Sequence, residues 1–76
     1  MKTCTIEVMN VYGKQNVFSG NVSYRGKLLF KTNHTDTVNN LLDECKQYAT
    51  TNGFSHFKGF IENSEGKLVK IEGRFE

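Results

Sequence analysis

One stretch of this chain, residues 36 to 51, repeats its apolar side chains with the period of an α-helix. The i, i+3, i+4, i+7, i+11 spacing sets these side chains in a single stripe: Val38, Leu41, Leu42, Cys45 and Ala49. A short helix with one apolar stripe is stable only when the stripe packs against another element. The rest of the chain therefore has to provide a surface that covers it.

The residues that flank this stretch favour a helix with defined ends. Thr35 or Asp36 can cap the start by accepting a hydrogen bond from a free backbone N–H, and Asp36 also suits the positive end of the helix dipole. At the other end, Gly53 can adopt the left-handed conformation that closes a helix. Phe54 is then the hydrophobic residue that commonly follows such a glycine.

The remaining segments alternate apolar and polar residues with the period of two that is typical of β-strands. We predict strands over residues 3–12, 17–24, 27–32, 54–62 and 67–75, with turns at 13–16, 25–26 and 63–66. The order of elements is then βββαββ. The sequence predicts a single α+β domain, residues 1–76, in which one amphipathic helix packs on one face of an antiparallel sheet of about five strands.

The alternation also predicts which side chains face the helix. The predicted core comprises Ile6, Val8, Phe18, Val22, Phe30, Val38, Leu41, Leu42, Cys45, Phe57, Ile61, Val69 and Ile71. Gly20 falls on the same face, where a missing side chain indicates a bulge or close packing. The opposite face is predicted to carry Lys27, Leu29 and Lys31 from one strand, and Phe54, His56, Lys58 and Phe60 from another.

Size, charge and the two cysteines narrow the class of protein. With 76 residues there is room for one core and no second domain, and a net charge of +2 is too small to indicate a polyanion partner by itself. Residues 1–5 lack the apolar run of a signal peptide, and no stretch is long enough to span a membrane. We therefore expect a cytosolic protein in which Cys4 and Cys45 are buried thiols; a disulfide between them is the alternative in an oxidising compartment.

The sequence offers no set of residues with the spacing that catalysis or metal binding requires. His34 and His56 are the only histidines and neither lies near a cysteine, whereas a zinc site needs several closely spaced ligands. Asp43 and Glu44 lie on the polar side of the predicted helix, where carboxylates are usually solvated. We predict no catalytic residue, no cofactor and no metal, and hence a protein that is not an enzyme.

Apolar residues on the face away from the helix are the first feature that suggests a function. Met9, Val11, Leu29, Phe60 and Leu68 are predicted there, although a free sheet face is usually polar. Such residues indicate a contact with another protein or with a second copy of the chain. The alternatives are that another segment covers them, or that the predicted register is shifted by one residue.

Basic residues on the same face support a second hypothesis. Lys27, Lys31, Lys58, Lys70 and Arg74 could follow the phosphates of a nucleic acid while the ring of Phe60 stacks on a base. The alternative is an ordinary solvated face whose lysines protect the sheet edges from aggregation.

In its order of elements the chain resembles small antitoxin-like proteins built on a truncated ribonuclease-H topology, and small viral inhibitors of host systems. The resemblance is one of element order without a shared motif, and it implies assembly with a partner protein. The many Asn, Lys and Thr residues are compatible with an AT-rich bacterial or phage genome. The sequence therefore predicts a small protein-interaction module, an accessory or inhibitor protein, with nucleic-acid binding as the alternative.

Overall fold

The computed structural model describes residues 2–11, 17–32, 37–63 and 65–75, and these form one helix and one five-stranded sheet. In chain order the elements are β1 (Thr3–Asn10), β2 (Phe18–Tyr24), β3 (Lys27–Lys31), α1 (Val38–Thr51), β4 (His56–Glu62) and β5 (Leu68–Arg74). The predicted α+β fold and the order βββαββ are confirmed. The turn predicted at 13–16 lies outside the described residues.

The sheet has the strand order β3-β2-β1-β4-β5 and is mixed, because β1 and β4 are parallel while every other pair is antiparallel. The parallel pair follows from the connections. Two hairpin steps make β3 run in the same direction as β1, and α1 then crosses the sheet before the chain re-enters beside β1. A crossover through a helix is the usual way to join parallel strands, so this one pair departs from the antiparallel sheet expected from the sequence, which is otherwise confirmed.

The N-cap residue of α1 lies one residue beyond Asp36, the later of the two predicted caps. Thr37 is the N-cap residue: its backbone is extended and its side-chain oxygen accepts a hydrogen bond from the N–H of Asn40 at 3.3 Å. Thr37 can do this because it stands three residues before Asn40, the spacing that capping requires. The prediction of Thr35 or Asp36 as the cap is therefore corrected, and both of those residues lie outside the described part of the chain.

The end of α1 confirms the prediction for Gly53. This glycine has φ 86° and donates its N–H to the carbonyl of Thr50 at 3.2 Å. Phe54 donates to the carbonyl of Ala49 at 3.0 Å, and the two bonds together form a Schellman motif. Two of the last carbonyl groups of the helix are thereby satisfied.

Phe54 itself lies in the core, contrary to the prediction that it shares a face with His56, Lys58 and Phe60. It is only 5% exposed, and its ring meets that of Tyr24 edge-on at 5.2 Å. The alternation of side chains in β4 begins at His56, so Phe54 is positioned by the Schellman motif and not by the strand. Lys2 places its Nζ atom 4.6 Å from the centre of the Phe54 ring and covers it from outside.

The core forms where α1 packs on β1 and β2, the two strands of the first hairpin. Its fully enclosed apolar residues are Cys4, Ile6, Val8, Val22, Leu41, Cys45 and Ala49. Gly20 explains the close approach, since a Cβ atom at this position would lie 3.0 Å from the sulfur of Cys45. The close packing predicted at Gly20 is confirmed, and most of the predicted helix-facing residues contribute to this core or pack against it.

A β-bulge in the β2–β3 hairpin changes the faces predicted for β3. Phe30 pairs with Val22 and Leu28 pairs with Ser23, so Leu29 between them has no partner in the ladder. Directly opposed residues share a face. Leu28 therefore moves to the face away from the helix. Lys27, opposite Tyr24, moves to the helix side, and the predicted grouping of Lys27 with Lys31 is wrong.

One helix covers only part of this sheet. α1 packs over β1 and β2. A helix is about 10 Å wide and neighbouring strands are about 4.8 Å apart, so one helix spans roughly two strands. Over β4 and β5 the apolar side chains on the helix side stay half-buried, and Val69 is 42% exposed. Val69, predicted as a core residue, is on the expected side but outside the core.

Candidate functional site

The edge strand β5 exposes large apolar side chains on both of its faces. Leu68, on the face away from the helix, is 56% exposed, and Val69, on the helix side, is 42% exposed. Ile71 continues the stripe on the helix side and is half-buried. We call β5, Leu68–Arg74, together with these side chains the β5 edge. An exposed apolar strand at the side of a sheet is a place where another chain can bind.

The backbone of β5 has hydrogen-bonding groups directed away from the sheet. Phe75 donates its N–H to the carbonyl of Ser55 at 2.9 Å, and the carbonyl of Lys67 accepts from Asn63 at 2.9 Å. Odd-numbered residues of this segment therefore bond to β4. In an antiparallel ladder the alternate residues point the opposite way. The N–H and C=O groups of the even-numbered residues are thus directed outward: Leu68, Lys70, Glu72 and Arg74.

The other edge strand, β3, is less suited to pairing. It has five residues against seven in β5, and the bulge at Leu29 interrupts its ladder. A lysine stands at each end, Lys27 and Lys31. Short length, a bulge and terminal lysines are features that protect an edge against association. By contrast, the pairing of β5 with β4 runs from Leu68 to Arg74 without a shift in register.

The five predicted partner-binding residues do not form one patch. Leu68 is part of the β5 edge. Phe60 lies next to that edge in β4, where it pairs with Lys70. Met9, 38% exposed, lies on the same face at the end of β1. Val11 follows β1 and is half-buried, with its N–H bonded to the carbonyl of Val17 at 2.7 Å. Leu29 is on the far edge, 37% exposed at the bulge.

Four of the five predicted cations share the face away from the helix: Lys31, Lys58, Lys70 and Arg74. They alternate with carboxylates. Glu72 pairs directly with Lys58, and Glu7 pairs with Phe60 in the neighbouring strand. The face therefore carries both signs of charge in alternation, and it is not a continuous basic surface.

An open depression lies at one end of the β4–β5 ladder. Its lining residues are Thr3, His56, Phe57, Lys58, Glu72, Gly73 and Arg74. It contains a histidine and a carboxylate, but it is shallow and open to solvent. His56 uses its Nδ1 atom in a hydrogen bond with the hydroxyl of Ser55 at 2.8 Å. Within residues 2–11, 17–32, 37–63 and 65–75, no three His, Cys, Asp or Glu side chains are arranged to hold a metal ion.

Both thiols are buried in the core and have no disulfide partner. Burial, with smaller contributions from the nearby Glu44 and Cys4, raises the pKa of Cys45 to about 12. Burial also raises the pKa of Cys4. A thiol must ionise to act as a nucleophile, so these cysteines are arranged for packing rather than for reaction.

Comparisons of the chain with protein-family models, with curated proteins and with solved structures find no match. In the described part of the chain, α1 is too short and too polar to cross a membrane. Sequence reasoning missed the exposure of Val69, because the alternation assigns Val69 and Ile71 to the core. The width of one helix against that of five strands is the signal that could have revealed it.

Proposed function

We propose that this chain is a protein-interaction module that binds another polypeptide strand along the β5 edge. The observation that carries the proposal is the exposure of Leu68 and Val69 on opposite faces of one long and regular edge strand. A strand that adds to a sheet edge gains main-chain hydrogen bonds, and its alternate side chains fill the surfaces above and below the sheet. The β5 edge offers both.

The contrast between the two edges supports this choice. A lysine stands at each end of β3, which is short and contains the bulge at Leu29, whereas β5 is longer and regular. β5 also carries charged residues, Lys70, Glu72 and Arg74, so the two edges differ in length and regularity rather than in charge. The longer and regular ladder makes β5 the better edge for a specific contact.

This mode of binding needs no cofactor and suits a small accessory or inhibitor protein, of a bacterium or a phage, that acts by occupying a surface of another protein. Two buried free thiols, Cys4 and Cys45, suit a reducing compartment such as the cytosol. An enclosed catalytic site would compete for the same small core that α1 and the sheet require.

Photo-crosslinking in the cells that make the protein tests the proposal. A benzoylphenylalanine in place of Leu68 is expected to give a crosslinked product, either with a different protein or with a second copy. The matched control is the same residue in place of Gln47, which is exposed on α1. A yield at Leu68 no higher than that at Gln47 would contradict the proposal.

Nucleic-acid binding remains the second candidate because Lys31, Lys58, Lys70 and Arg74 share a face with the ring of Phe60. We rank it second because carboxylates alternate with these cations, which weakens attraction to phosphates. This candidate requires oligonucleotide binding that weakens steeply with added salt. It also requires that Lys58→Glu reduce the binding more than a lysine substitution on α1.

A further inference from the structure

We infer that the strand bound at the β5 edge is β5 of a second copy, paired antiparallel about a twofold axis at Ile71. The inference rests on the proposed function and names the partner at the same site. It follows from the order of residues in β5, Leu-Val-Lys-Ile-Glu-Gly-Arg. When a second β5 runs antiparallel to the first, each charged residue beside the central isoleucine faces a residue of opposite charge.

The charges of β5 match in this register. When Ile71 faces Ile71 of the second copy, Lys70 faces Glu72 of the second copy and Glu72 faces Lys70 of the second copy. Both pairs lie on the face away from the helix, where Glu72 already pairs with Lys58 of its own chain. Opposite charges directly across a ladder are stabilising, and like charges are destabilising.

The backbone fits the same register. Even-numbered residues of β5 direct their N–H and C=O groups outward, so Lys70 and Glu72 of the second copy can exchange a pair of main-chain hydrogen bonds. Ile71 directs its own groups toward β4 and becomes the non-hydrogen-bonded pair at the axis. Side chains approach most closely in such a pair, which suits two isoleucines.

In this register, the second copy also covers apolar side chains that α1 leaves exposed. On the helix side, Val69 would face Gly73 of the second copy. The ring of Phe57 lies over Gly73, where an added Cβ atom would be 3.0 Å from its carbon atoms. Val69, which is 42% exposed in the single chain, would therefore pack beside an aromatic ring. On the opposite face, Leu68 would lie against the aliphatic part of Arg74 of the second copy.

Other registers fit less well. A twofold axis at Lys70 sets two lysines against each other, and an axis at Glu72 does the same with two glutamates. An axis at Gly73 pairs Glu72 with Arg74 of the second copy, but Leu68 and Val69 then meet positions beyond the end of β5. For β3, pairing of the full strand with itself sets Lys27 against Lys31 and is repulsive.

Charge reversal tests this register by sedimentation equilibrium of the purified full chain. The wild type is expected to approach twice its 8.7 kDa mass as concentration rises. Lys70→Glu alone, or Glu72→Lys alone, sets like charges together at two places and should weaken association by about tenfold or more. An equimolar mixture of the two variants should associate again, since each then meets its complement. The double variant should also associate.

The controls separate this inference from loss of folding and from the proposed function. Circular dichroism and thermal unfolding should show that each variant keeps the fold of the wild type. A wild type that stays monomeric overturns the second copy, whereas a Leu68 crosslink to a different protein would still uphold the proposed function. Dimers that Arg74→Glu weakens but Lys70→Glu does not would overturn the register at Ile71.

Discussion

Cys45 packs the helix against the sheet at a point of close approach in the core. Its sulfur is fully enclosed and lies where Gly20 leaves room for it. The neutral thiol is the form that this environment accepts, because burial disfavours the thiolate. Cys45 therefore makes the stability of the fold depend on pH in the alkaline range.

We expect the free energy of unfolding to fall as the pH rises from about 9 toward 12. The folded pKa of Cys45, about 12, is higher than its ordinary value of 9.0, so the unfolded chain releases the proton first. The stabilisation is complete below the ordinary pKa and is lost as the pH rises through the folded pKa, with a slope of up to about 1.4 kcal/mol per pH unit. Urea unfolding at several pH values measures this slope.

Cys45→Ala is the matched control for this dependence. The variant removes the titrating thiol and leaves the other alkaline groups in place, so its stability should fall less steeply over the same range. The expected difference between the two slopes is independent of the cavity that the substitution creates. Equal slopes for the wild type and Cys45→Ala would show that the thiol is not held neutral by the fold.

At the scale of elements, regular patterns were predictable from the sequence and their interruptions were not. The stripe of α1 and the alternation in β1, β2 and β5 repeat over enough residues to fix which side chains face the helix. The bulge at Leu29 reverses the faces of Lys27 and Leu28 without a local signal, because one extra residue leaves the composition unchanged. Phe54 escaped the alternation because a helix end, and not a strand, positions it.

The stability of the Schellman motif at the end of α1 can be tested at Gly53. Gly53 has φ 86°, and an added Cβ atom would meet nothing within 4 Å, so only backbone conformation opposes a side chain here. Gly53→Ala should lower the free energy of unfolding by about 1 kcal/mol, since alanine is strained in the left-handed region.

Gly53→Asn serves as the comparison, because asparagine tolerates the left-handed conformation better than alanine does. Its loss in stability, measured by the same chemical unfolding, should be smaller than that of Gly53→Ala. If the two substitutions cost the same, the Schellman motif would not be what limits this position.

For the molecule as a whole, the partial cover provided by one helix decides which apolar surface of the sheet stays exposed. α1 encloses Ile6, Val8 and Val22 on the central strands, and it leaves Val69 and Ile71 at the side of the sheet. The candidate residues Met9, Phe60 and Leu68 were predictable from the alternation alone. The position of β5 at an edge was not predictable, because strand order is set by long-range pairing and β4 and β5 could have lain in the middle of the sheet.

Hydrogen exchange at the amides of Lys70 and Glu72 tests the account most directly. In a single chain both N–H groups point away from β4, at the free edge of the sheet. Nuclear magnetic resonance can follow the two amides in the purified protein over a range of concentrations. We expect their exchange to slow as concentration rises, while the amides of exposed loops stay unchanged. Exchange at the rate of an unprotected amide at every concentration would contradict a second copy at the β5 edge.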